Sequence, residues 1–173
     1  MGSEPEVEIV WRAFELRPDP VPTLDPGGEY LRRAWEGSVY PLARQLGMTM
    51  RLPPIQPRAR LAHEAAHWAR SAGRFDAYHE ALFEAFFQRG EDIGDPALLV
   101  SLARGVGLDG NSLGESLEDH RFLESVLADE RLAEGFGVRA VPAFIADRRA
   151  GASGVQTVEG LKELLERVRS TKR

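Results

Sequence analysis

His63-Glu64-Ala65-Ala66-His67 spells H-E-x-x-H, a spacing that sets two imidazoles one helical turn apart with a carboxylate between them. In a zinc hydrolase such a pair binds the metal and the carboxylate serves as general base toward the bound water. That chemistry needs a third protein ligand. Arg70 and Gly73 stand where a metzincin continuation requires Gly and His, and Glu80 and Glu84 are merely downstream acids. At about 100° per residue, Leu61, Ala62, Ala65, Trp68, Ala69 and Ala72 make one apolar stripe. His63 and His67 then fall on the opposite side with Arg60 and Arg70, which predicts a solvated face. Zinc hydrolysis by His63, Glu64 and His67 is the alternative function.

Two other motif matches resolve as local structure. Gly110-Asn111-Ser112-Leu113-Gly114 matches G-x-S-x-G, but a helix rather than a strand precedes it, and Ser112 with Glu115 reads as a capping box. Asp109 to Gly114 imitates a calcium loop, yet Leu113 replaces an oxygen ligand and His120 stands at the twelfth position, where a bidentate Glu is required. His79 and His120 are expected on ordinary helix surfaces.

The bulk numbers narrow the classes. With 173 residues, 43% hydrophobic and 28% charged, the chain has the composition of one globular domain, with room for an embedded subdomain. A net charge of -5 gives no electrostatic basis for nucleic acid or an anionic membrane, and Arg167 to Arg173 is expected to be a solvated helix end and tail. There is no cysteine, so these residues carry no disulfide, thiolate metal site or dithiol centre. No apolar run approaches a membrane span, and MGSEPEVE has neither a signal pattern nor a myristoylation motif, so a cytoplasmic location is expected.

These residues must be held by an unusual order of elements. Val7 to Leu16, β-branched and aromatic between prolines, predicts a mostly buried strand. From Pro26 to Gly137 the apolar spacing is helical. Helices are expected ending at Gly47, over Arg58–Ala72, over Phe75–Gln88, after the Asp95-Pro96 start, after the Ser112 cap, and through Leu123, Val126, Leu127 and Leu132. The period then changes. Ala140 to Asp147 is a strand opened by Pro142, Arg148-Arg149 a turn, and Ala150 to Val155 a second strand. Thr157 to Val168 closes as an amphipathic helix.

A proline-opened strand, a hairpin and a terminal helix resemble the second half of a thioredoxin fold. The resemblance extends over roughly residues 6–169 to the DsbA-type family. Within it the chain is most similar to the FrnE-like group, related to 2-hydroxychromene-2-carboxylate isomerases and kappa-class glutathione transferases. It is carried by VEIVWRAFELRPD, by AHEAAHWARSAGRFDAYHEALFEAFFQRGEDIGDPALLVSLARGVGLD, and by GVRAVPAFIADRRAGASGVQTVEGLKELL. FFQRGEDIGD, VPAFI and SGVQ are its most specific pieces.

The resemblance implies an α/β fold, thioredoxin-like, with a large inserted helical domain at 26–137 and an incomplete thioredoxin-like part at 6–18 and 138–170. It implies a cis Val141-Pro142 bond, with Val141 and Pro142 bordering a groove for an extended peptide or thiol substrate. It also places HEAAH on a helix of the inserted domain, which in this family is not a zinc site.

The departure from the family is equally plain. Its first strand, first helix and Cys-x-x-Cys have no counterpart here, so no catalytic residue carries over and dithiol exchange is not expected. No cofactor is expected. Because the missing strand would be the middle one, two apolar strand edges would lie open. They could close on each other, pair with a second copy as a homodimer, or mark a fragment of a longer protein. The linker-like SEPEVEIVW favours the fragment.

Overall fold

The computed structural model describes residues 7–170; the N-terminal MGSEPE and the last three residues of the basic tail lie outside that range. In chain order the elements are α1 (Glu29–Ala34), a π-helical turn (Trp35–Val39) and α2 (Tyr40–Gln45). Then come α3 (Arg60–Ser71), α4 (Phe75–Phe83) with a second π-helical turn (Glu84–Arg89), α5 (Pro96–Gly105), α6 (Gly110–Glu118) and α7 (Leu123–Gly135). β1 (Ala143–Ala146), β2 (Ala150–Ser153) and α8 (Val158–Ser170) complete the order.

α3 is the axis of the helical body, in contact with α4, α5, α6 and α7. Its alanines make this possible. Ala62, Ala65, Ala66 and Ala69 are buried, and so small a surface lets four helices approach one. Trp68, Tyr78, Leu82, Leu99, Ala103, Leu113 and Leu117 complete the same core. Tyr78 keeps its hydroxyl satisfied there by donating to the Leu99 carbonyl at 3.0 Å.

Helix ends follow the sequence in part. Asp95 caps α5, accepting from the Ala97 amide at 2.9 Å ahead of Pro96. Gly90 stops the second π turn at φ 71°, where a Cβ would also lie 2.8 Å from Pro54 Cδ. The capping box at Ser112 is a correction. α6 begins three residues earlier than that cap implies, at Gly110, with Asp109 as its cap accepting from the Asn111 and Ser112 amides, so Ser112 is already helical.

β1 and β2 form an antiparallel hairpin with Ala143 opposite Ser153 and Ala146 opposite Ala150. Its turn closes through Arg149 N–H to the Ala146 carbonyl, with Asp147 and Arg148 both at positive φ. α8 covers one face, packing Leu164, Leu165 and Val168 on Phe144, Ala146, Ala150 and Ala152. The hairpin and α8 contact each other and none of the other helices.

The strand expected at Val7 to Leu16 is the largest correction. Among the described residues this segment pairs with no strand, and the only sheet is the two-stranded hairpin. Nor is it mostly buried: Val7, Ile9, Val10, Trp11 and Leu16 are exposed, and only Ala13 and Glu15 are buried. A β-prone sequence needs a neighbour to become a strand, and here its neighbours are helices.

Candidate functional site

Two places bring polar backbone or buried charge together. The first is the outer edge of β1. Gly154 N–H bonds the Pro142 carbonyl at 2.8 Å, so Pro142, Phe144 and Ala146 face β2. By alternation, Val141, Ala143 and Ile145 turn their N–H and C=O groups to the other side, where no strand lies among the described residues. The Val141–Pro142 bond is cis, as is Asp19–Pro20. Val141 and Ile145 are exposed. Ile145 reaches across Gly151, where an added Cβ would sit 3.0 Å from its Cδ1. The result is a short open strand edge with apolar side chains beside it and no competing backbone partner.

The second place is the seam between α3, α7 and the segment Trp11–Glu15. It corrects the expectation of a solvated histidine face. His67 lies 3.0 Å from Asp129 Oδ2 through Nε2, and Asp129 is only 3% exposed. The same carboxylate accepts from Arg12 at 2.8 Å and from the Ala13 amide at 3.0 Å. Arg60 pairs with the buried Glu15, and Arg70 donates to the Trp11 carbonyl at 2.8 Å. His63 packs against this segment too, its ring bonded to the Phe14 backbone.

Burial pulls the His63 and His67 pKa values below the ordinary histidine range. Glu15 and the Phe14 backbone oppose the shift at His63, and Asp129 opposes it at His67. Glu130, beside Glu15, is raised first by burial and then by that like charge.

The H-E-x-x-H side chains do not converge. Glu64 points into the core and bonds His120 Nδ1 at 3.1 Å, whereas His63 and His67 face the segment on the other side of α3. No group of three or more His, Asp or Glu side chains could hold a metal ion among the described residues. Of the two remaining histidines, His120 is exposed as expected, and both make side-chain contacts. His120 holds Glu64, while His79 stacks on Phe75 at 4.8 Å, meets Phe83 edge-on at 4.6 Å and touches Trp11 at 5.1 Å. Burial lowers the His79 pKa as well.

Asp129 and Glu15 escaped the sequence reading. A signal was present for one: Asp129 falls three residues after the buried Val126, on the same stripe of α7. No helix among the described residues is long and apolar enough to cross a membrane.

Comparison with known proteins agrees with this architecture. Residues 2–166 match the family model of the DSBA-like thioredoxin domain. The chain is 36% identical over 160 residues to the uncharacterized protein YwbO of Bacillus subtilis (strain 168), covering 89% of this chain and 80% of that protein. It superposes with a TM-score of 0.72 and 27% identity on the crystal structure of the probable DsbA oxidoreductase SCO1869 from Streptomyces coelicolor, covering 92% of this chain and 74% of that one. With a family match over nearly its whole length, the chain belongs to the DSBA-like thioredoxin domain family.

Proposed function

We propose that this chain acts as a peptide- or thiol-binding member of its family that does not itself perform dithiol exchange. The observation that carries the reading is the outer edge of β1: Val141, Ala143 and Ile145 offer outward backbone groups beside exposed apolar side chains. An extended peptide added there would gain main-chain hydrogen bonds for affinity and side-chain contacts for selectivity. Val141 and Pro142 border the first position of that site. The 173 residues contain no cysteine, so nothing in them can attack or resolve a disulfide. SGVQ favours the FrnE-like group within the family. The confinement of hairpin and α8 contacts to one another supports separating 138–170 from a helical insertion at 26–137, whereas the segment at 6–18, assigned to the same thioredoxin-like part, is bonded to α3 and α7.

The test uses a valine- and threonine-rich hexapeptide and its alternately N-methylated twin. Binding of the first, with shifted amide resonances at Val141, Ala143 and Ile145, is expected, and loss of binding by the second. Equal binding of both peptides would remove the strand-addition reading. Insulin reduction by the 173-residue chain should stay at the uncatalysed rate.

A further inference from the structure

Glu64 is the most deeply buried charged residue among those described, and it lies on the side of α3 away from Trp11–Glu15. It is 1% exposed, bonds His120 Nδ1 through Oε1 at 3.1 Å, and has no hydrogen-bond partner for Oε2. A carboxylate set so deep costs stability unless it is well paired, and here one imidazole supplies its side-chain hydrogen bond. The backbone holds that imidazole in place. His120 sits just past α6 at φ 49°, its amide bonding the Leu117 carbonyl at 3.2 Å and the Arg121 amide bonding the Ser116 carbonyl at 3.0 Å. Glycine is the usual residue at such a left-handed helix end. A buried carboxylate and a left-handed histidine are two separate costs that meet in one hydrogen bond. That bond fixes what the ring can do. A carboxylate only accepts, so Nδ1 carries the proton and Nε2 the lone pair. The His120 side chain is 56% exposed. The other three histidines offer no such atom: His63 is bonded to the Phe14 backbone, His67 spends Nε2 on Asp129, and His79 Nε2 is buried.

We propose that His120 Nε2 is a phosphoryl-accepting nucleophile activated by Glu64, and that its donor is a small acyl phosphate. Nε2 attacks phosphorus, and an N–P bond forms as the P–O bond to the acyl group breaks. The carboxylate leaves with the electron pair, and the proton on Nδ1 stays where it is. The ring becomes cationic, and Glu64 offsets that charge as it develops. Arg121, next in the chain, engages Asp119 through Nε and Nη2 at 3.1 and 2.8 Å, which leaves Nη1 for a phosphoryl oxygen. The Phe122 and Glu124 amides at the start of α7 bond no carbonyl among the described residues. Arg131 engages Glu124 at 3.5 Å, so the acidic sequence around His120 is partly neutralised. These donors favour an anionic phosphoryl group over a neutral acyl group. An acyl phosphate needs no further catalytic group, because its carboxylate leaves readily.

The 173-residue chain incubated with acetyl phosphate should gain one phosphoryl group, lost in mild acid and retained in base, on a peptide that contains His120. Nitrogen NMR of the unlabelled chain should find the His120 proton on Nδ1. Glu64→Gln keeps a hydrogen-bond acceptor without the charge and should slow labelling about tenfold. His120→Asn, whose side chain tolerates left-handed backbone, should abolish labelling with an unchanged circular dichroism spectrum. Labelling confined to other residues, or no faster at His120 than at free N-acetylhistidine, overturns the proposal. So does a Glu64→Gln variant labelled at the parent rate, or a His120 proton found on Nε2.

Discussion

The helical body and the C-terminal hairpin unit are stabilised in opposite ways. The body wraps helices around an alanine-rich α3 and seals its seam with buried charge. The hairpin unit has a small core, Ala146, Leu164 and Val168, under a single helix. One region spends its polar groups internally. The other leaves a strand edge outward. The body covers its buried polar groups with side-chain partners, and the thinly supported hairpin leaves the outer edge of β1 without a strand neighbour among the described residues.

Asp129→Ala should break the comparison most severely. It strands His67, Arg12 and the Ala13 amide around a site 3% exposed, and losing one partner of a buried charge cluster costs about 3 kcal/mol or more. Urea unfolding followed by α-helical signal measures it. A loss below about 1 kcal/mol would mean that the carboxylate is not holding the seam.

Next comes Leu164→Ala, which removes the largest fully covered apolar side chain of the hairpin unit, at a cost of about 2–3 kcal/mol. Hydrogen exchange should then accelerate over residues 143–170 and not in α3 to α7. Acceleration everywhere would make the two regions one cooperative unit.

Arg148→Gly tests the same separation from the stabilising side. Arg148 sits at φ 56° in the hairpin turn, and relieving a left-handed non-glycine residue returns about 1 kcal/mol. The gain should appear only in the exchange of hairpin amides.

The gentlest probe is pH. Burial holds His63, His67 and His79 below the ordinary value of 6.5, so the unfolded chain binds protons first as pH falls. Body stability should be level above that value and decline below it until the folded histidines titrate. The hairpin unit, with no histidine, should not respond. Glu130, raised above 4.5, acts in the opposite direction at lower pH. A His67→Gln variant should flatten the slope near neutrality while leaving the Glu130 contribution in place.

Local signals explain which features could be read beforehand. The Asp95-Pro96 start, the stop at Gly90, the proline before β1 and the apolar stripe of α8 are each written in a few adjacent residues, and the structure has them. The larger misreadings concern partners distant in sequence. Val7–Leu16 has strand composition, but composition cannot supply a neighbouring strand. His63 and His67 lie off the apolar stripe of α3, which reads as solvent until Trp11–Glu15 is laid across them. Ser112 and Asp109 both satisfy a cap pattern, and the choice between them depends on where α5 delivers the chain. At the candidate site, a proline opening an apolar run made the strand legible, and the resemblance to the family singled out Val141 and Pro142. Which edge of β1 stays open depends on pairing and was not.

Asp129 also imposes an order on folding. The Ala13 amide that it captures lies 116 residues earlier in the chain. On a ribosome the N-terminal segment therefore leaves the tunnel well before its anchor has been translated. α3 and α7 must dock before the three donors have anywhere to converge, so the early-made segment is fastened late. Until then the Trp11 carbonyl and the Ala13 amide lack the partners that α3 and α7 supply.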